Sequence, residues 1–289
     1  MVVLEVNVAC LGKEHQCRLL LSWLPNFVKL GVEILYLLPI QKKGVINSKG
    51  SPYGLQDHWE WNEAWGGNED WDQLIEFCRA HHIRLVLDWV MNHTAWDHPW
   101  LTQNPDWYEQ DHSGRPIFPA GTDWHDVAQL KVNHPSVVSE MVQLMSRWMS
   151  ERHIDGFRWD AMERLPLEVR TQIQQTIELA FPIVIWIGDK STKSVNQSQV
   201  HFAERHWGGE EKGFREFGKS ETHWSFLHPH DEACYGPCWM DKIKSSDNHD
   251  FYLQTALAHW SHPVISLSMF TRKYQLFNWK DSKKIDLII

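Results

Sequence analysis

An α/β architecture of eight parallel strands closed into a (β/α)8 TIM-type barrel is what this sequence predicts, and three observations predict it. Short apolar runs alternate with runs of helical period, the pattern of a parallel sheet wrapped by helices. Several of the apolar runs end on a carboxylate, at Asp88, Asp160 and Asp189. The chain of 289 residues suits a barrel of about 250 residues, and no linker composition divides it.

Taken in order, Val2 to Ala9 reads as the first strand, because it is apolar yet carries Glu5 and lacks the basic start of a signal peptide. Arg18 to Leu30 reads as a helix stopped at Gly31, followed by the continuous apolar strand Val32 to Leu38 that Pro39 ends. Asp70 to His82 is amphipathic, with Trp71, Leu74, Ile75 and Cys78 on one face, and leads into the strand Ile83 to Leu87. Periodicity then disappears from Thr94 to about His134, a stretch rich in Trp, Asp, His, Pro and Gly. Residues 1–93 and 135–289 therefore read as the barrel, and 94–134 as a small irregular insertion domain after the third strand.

Pro135 opens a strong helix whose Val138, Met141, Leu144, Met145, Trp148 and Met149 recur at helical spacing as core. A further helix, Leu167 to Ala180, precedes the buried run Ile183 to Ile187, closed by Gly188 and Asp189. The sixth strand is placed at Thr222 to Phe226. Ser246 to Asp250 is another candidate strand terminus, and Pro263 to Phe270 is the candidate eighth strand. With so few residues after Asp250, that eighth strand is expected to be degenerate or incomplete, which would leave a sheet edge exposed.

Composition narrows the partner. Lys plus Arg total 28 against 37 Asp plus Glu, a formal net charge of −9, which argues against nucleic acid or an anionic membrane and suits a neutral polar ligand. The 18 Trp exceed ordinary usage, and indole faces pack on the apolar faces of sugars as well as in cores. Five Cys without short regular spacing predict a reducing, cytoplasmic setting rather than a disulfide framework. No apolar run reaches the roughly 18 residues of a membrane helix. His228, His230, Cys234 and Cys238 form the one zinc-like group, but the C-x3-C spacing is unusual, so no metal site is expected there.

The stretch Asp155-Gly156-Phe157-Arg158-Trp159-Asp160-Ala161 carries the most chemistry. Strand side chains alternate faces, so Arg158 and Asp160 point one way and Phe157 and Trp159 the other. A guanidinium beside a carboxylate favours the ionised form that a carboxylate nucleophile needs. A structural ion pair at a strand end accounts for the same residues. In a parallel barrel the C-terminal strand ends share one rim, where Asp88, Asp160, Asp189 and Asp250 would converge. Grouped carboxylates among aromatics suit glycoside hydrolysis, and they equally suit a divalent cation.

Four segments in order resemble the α-amylase family of retaining glycoside hydrolases. Asp88-Trp89-Val90-Met91-Asn92-His93 resembles its D-x-x-x-N-H motif and Gly156 to Ala161 its nucleophile motif. Asn248-His249-Asp250 resembles its N-H-D motif, and Ser51-Pro52-Tyr53-Gly54 a loop whose Tyr stacks under the sugar. The resemblance implies a retaining enzyme acting on α-glucans or malto-oligosaccharides. Asp160 is then the nucleophile, Arg158 its ionising partner, Asp189 the general acid and Asp250 the transition-state stabiliser. His93 and His249 would bind sugar hydroxyls, Tyr53 would stack, and Asp88 would support the geometry.

Three departures accompany the likeness. The family's acid is Glu where Asp189 stands, a side chain one methylene shorter, and a displacement of about 1 Å at a reacting group costs on the order of a hundredfold in rate. Ser266 to Met269 stands where the family's closing strand reads Ile-Tyr-Tyr-Gly. Asn92 matches a calcium-ligand position, whereas Ala161-Met162-Glu163 replaces the Lys-His that follows the nucleophile in many calcium-binding members. No cofactor is therefore expected, with calcium the one candidate. Two other readings remain: a catalytically impaired relative that binds carbohydrate or protein through its aromatic rim, and a metal-dependent barrel hydrolase built on the same carboxylates.

Overall fold

The computed structural model describes residues 1–188 together with three later strands, His201–His206, His223–Phe226 and Pro263–Ser266. Ten strands occur among these residues. They are β1 (Val2–Val6), β2 (Val32–Leu37), β3 (Arg84–Trp89), β4 (His93–Ala95), β5 (Val127–Gln129), β6 (Gly156–Trp159), β7 (Ile185–Gly188), β8 (His201–His206), β9 (His223–Phe226) and β10 (Pro263–Ser266). Eight close a barrel in the order β1, β2, β3, β6, β7, β8, β9, β10 and back to β1. Every neighbouring pair in it is parallel.

Two sequence expectations are corrected. The run expected as the sixth strand is the seventh, β9, and the sixth is β8, whose sequence His-Phe-Ala-Glu-Arg-His has only two apolar residues and gives a faint strand signal. The eighth strand was expected to be degenerate or incomplete. It has four residues, yet β10 pairs with β9 on one side and β1 on the other, which leaves no open edge in the barrel.

The helices follow the sequence closely. Helix α1 (Gln16–Lys29) stops where Gly31 takes φ +78°, a left-handed conformation that costs glycine nothing. α2 (Asn68–Ala80) begins two residues before the expected start and ends two before the expected end. Between β3 and the helix that opens at Pro135 lie the antiparallel pair β4–β5 and the short helix α3 (Trp100–Gln103). Helix α4 (Pro135–Arg152) has Pro at its first position, and its N-cap His134 ring accepts from the Ser136 N–H. Helix α5 spans Leu167–Ala180 as the periodicity predicts.

Two packed layers result from strand alternation. Inward-facing Val3, Ile34, Tyr36, Leu38, Val86, Ile185 and Ile187 fill the barrel. Outward-facing Leu4, Leu35, Leu87, Phe157 and Trp186 pack against helix residues such as Leu20, Leu74, Met145 and Ile173. Cys17 and Cys78 serve there as small buried hydrophobes, and burial raises the Cys78 thiol to about 12, so neither is reactive. Gly156 is required by β6 itself, because a Cβ there would lie 2.2 Å from the Ile185 carbonyl oxygen of β7. No helix among the described residues is long and apolar enough to cross a membrane.

Candidate active site

The barrel brings the ends of β3 and β6 side by side, with Asp88 and Arg158 as register partners. Arg158 Nη1 donates to Asp88 Oδ1 at 3.1 Å and Oδ2 at 3.3 Å, and to Asp160 Oδ1 at 3.1 Å. Arg158 and Asp160 therefore share a face, as alternation predicts. Asp88 is fully buried and Arg158 nearly so, whereas the Asp160 side chain keeps 15% exposure. One cation thus joins a sealed carboxylate to one that a ligand can reach.

Two phenols complete the shell of Asp88. Tyr36 Oη and Tyr53 Oη each donate to its Oδ2 at 2.8 Å. Burial first, and then the Asp88 carboxylate, raises the Tyr53 phenol well above its usual range, so it stays a donor. Tyr53, expected to stack on a sugar, thus also anchors its loop to β3. Tyr36 was not singled out by the sequence reading; a Tyr within an otherwise apolar strand, whose hydroxyl must find a partner, was the available signal.

The backbone turns sharply beyond β6. Ala161 takes φ +48°, a left-handed conformation uncommon for a residue with a Cβ, directly after Asp160. Met162–Arg164 then form a 3-10 turn, and Arg164 lies 5.0 Å from the Trp124 ring centre and donates to the Ala120 carbonyl at 3.2 Å. Trp124 in turn meets His93 edge-on at 5.6 Å. The turn after Asp160 and the connection between β3 and α4 are thereby joined over His93.

His93 is buried, and its ring is pushed down to about 3, by burial first and then by His58, so it is neutral near pH 7. Behind it lies a relay of two more neutral imidazoles. The Trp100 N–H donates to His98 Nδ1 at 3.1 Å, which leaves His98 Nε2 to donate to His58 Nδ1 at 3.3 Å. His58 Nε2 then donates to the Val90 carbonyl at 3.0 Å. Each ring uses one donor and one acceptor, a tautomer assignment fixed by the outer partners. Trp100 stacks on His58 at 5.0 Å. Neither His58 nor His98 was singled out from sequence, since only their contact across 40 positions gives them meaning.

The structure therefore brings together Tyr53, Asp88, His93, Arg158 and Asp160. Asp189, His249 and Asp250 lie outside the described residues, as do His228, His230, Cys234 and Cys238. Among the described residues, no three His, Cys, Asp or Glu side chains group as metal ligands would. At Asn92, the calcium candidate, the neighbouring donor is the amide of Gln129.

Comparison with known proteins agrees with the fold and the motifs. The alpha-amylase catalytic-domain family matches residues 20–115. Alpha-amylase 3 of Dictyoglomus thermophilum is 26% identical over 165 residues, 50% of this chain and 32% of that protein. Oligo-1,6-glucosidase of Parageobacillus thermoglucosidasius is 24% identical over 179 residues, 51% of this chain and 31% of that protein. The chain spans about a third of the length of these curated relatives. The crystal structure of an alpha-amylase from Lactobacillus plantarum superposes with a TM-score of 0.73 at 22% identity, covering 92% of this chain and 70% of that one. A maltogenic alpha-amylase from Thermotoga neapolitana gives 0.76 at 20% identity, over 92% and 67%. At these identities the two structures speak for the barrel fold, while the family match over residues 20–115 and the sequence relatives make this part of the chain similar to the α-amylase family.

Proposed function

We propose that this chain cleaves α-glucosidic bonds in α-glucans or malto-oligosaccharides by a retaining mechanism, with Asp160 as nucleophile. The observation that carries the reading is the position of Asp160 at the end of β6, partly exposed and held by Arg158, which the buried Asp88 anchors in turn. In the first step a carboxylate oxygen of Asp160 attacks the anomeric carbon and the glycosidic C–O bond breaks. Asp189 gives its proton to the departing oxygen. In the second step water, deprotonated by the same Asp189, attacks the anomeric carbon and releases Asp160.

Asp250 supports the charge of the oxocarbenium-like transition state in this reading, and His249 holds a sugar hydroxyl. His93, neutral near pH 7, can present its ring to the sugar without introducing a charge. Tyr53 offers its ring to the sugar while its hydroxyl stays on Asp88. Residues 94–134 act as the small second domain, with Trp124 closing over His93. The two buried cysteines and the absence of a regular cysteine framework support a reducing, cytoplasmic setting.

Release of reducing ends from malto-oligosaccharides by the purified protein tests the proposal, beside Asp160→Asn. The expected result is turnover in the wild type and a loss of about a thousandfold or more in the variant. An Asp160→Asn protein that keeps full activity overturns the assignment, and a well-folded wild type without turnover overturns the function.

A further inference from the structure

Asn92 is the residue that matches a calcium-ligand position, and the surroundings of Asn92 do not fit a cation. Three oxygens converge beside it: the Asn92 carbonyl, Asn92 Oδ1 and the Leu130 carbonyl. At their focus lies Gln129 Nε2, at 2.9, 3.2 and 2.8 Å respectively. The opposite orientation of the Gln129 amide would set its oxygen against three others, so the partners fix the NH2 there. The Asn92 amide is fixed similarly, because Nδ2 lies 3.2 Å from His93 Nδ1 and leaves Oδ1 as acceptor.

Calcium takes oxygen ligands at about 2.3–2.6 Å and favours carboxylates among them. Here the oxygens it would use are amide carbonyls, and each already receives a hydrogen bond from the same nitrogen. A cation placed among them would sit on Gln129 Nε2. We propose that Gln129 takes the cation's place, so that an amide fastens β5 to the chain leaving β3 and the stability of this protein is independent of calcium. The placement suits that task. Gln129 is the register partner of His93, and Asn92 is the residue before it, so one side chain clamps the peptide leading into His93.

The test is thermal unfolding of the full chain in EDTA and in millimolar CaCl2, a readout that does not depend on the proposed activity. Wild type should unfold at the same temperature in both, within about 1 °C. Gln129→Ala removes the tie and should lower the midpoint by about 3–6 °C in both buffers. Gln129→Asp retracts by one methylene and sets a carboxylate across from three oxygens with space for an ion between. Its midpoint should be low in EDTA and rise by at least about 3 °C in CaCl2. A wild-type midpoint raised by more than about 3 °C by calcium would overturn the proposal, and that measurement needs no variant to fold. Gln129→Ala unchanged from wild type, or Gln129→Asp indifferent to calcium, would overturn it as well.

Discussion

Asp88 and Trp89 are adjacent in β3 and face opposite ways, and each meets a buried polar group handled in a different manner. On the inner face, Asp88 is sealed with Arg158, Tyr36 and Tyr53 in a network that contains full charges. On the outer face, the Trp89 ring lies 6.0 Å from His58, whose relay with His98 contains none. Both are hydrogen-bonded at every ring or carboxyl position described. The difference is that the inner group cancels charge with charge, whereas the outer group stays in place only while its imidazoles remain neutral. The first arrangement should be vulnerable to removal of a partner, and the second to a proton.

Breaking the inner network should have the largest effect. Arg158→Met keeps bulk but leaves Asp88 buried without its cation and removes the contact to Asp160. Removing one member of a buried pair costs about 3–5 kcal/mol, so the urea midpoint should fall accordingly, and activity with it. Adding Asp88→Asn to Arg158→Met should recover part of the stability without recovering turnover. A double variant no more stable than the single one would show that the cost was packing and not charge.

The outer group should respond to pH. Burial holds His58 down to about 4, and His98 lower still, while an unfolded chain has histidines near 6.5. The folded state thus resists protonation, and its stabilisation is complete above about pH 6.5. It is lost progressively as pH falls from about 6.5 toward about 4, by about 3 kcal/mol for His58 alone. Urea midpoints measured from pH 8 down to 4.5 check this. His58→Gln should be less stable at pH 8 but show a flatter profile, and a variant profile as steep as the wild type's would remove His58 from the explanation.

This contrast also sets what the sequence could disclose. Arg158 and Asp160 are two residues apart in a strand, so alternation alone places them on one face, and the bonds from Arg158 agree. Helix α5 and the barrel strands β1, β2, β3, β6 and β7 were legible because each carries its own period or apolar run, whereas β4 and β5 belong to the aperiodic stretch. β8 was not, since its apolar content is too small to set a period. His58, His98 and Gln129 were missed for another reason: their roles are long-range, fixed by partners 32 to 40 positions away. Nothing local marks a histidine that will be held neutral, or a glutamine that will gather three carbonyls.

The smallest effect sharpens the comparison within the inner network itself. Tyr36 and Tyr53 both donate to Asp88 Oδ2 at 2.8 Å, but Tyr36 is fully buried and Tyr53 is only half-buried by the surrounding surface. Tyr36→Phe leaves the carboxylate short of a donor where water cannot substitute, at about 2 kcal/mol. Tyr53→Phe opens the same oxygen from the side that faces the cleft, where solvent can take the vacated place, so about 1 kcal/mol is expected. Its ring is retained, so KM for malto-oligosaccharides should change less than twofold if stacking is its contribution to binding. Equal losses of stability in the two phenylalanine variants would mean that Asp88 is as sealed toward the cleft as toward the barrel interior, and Tyr53 would then belong to the structural core of the network.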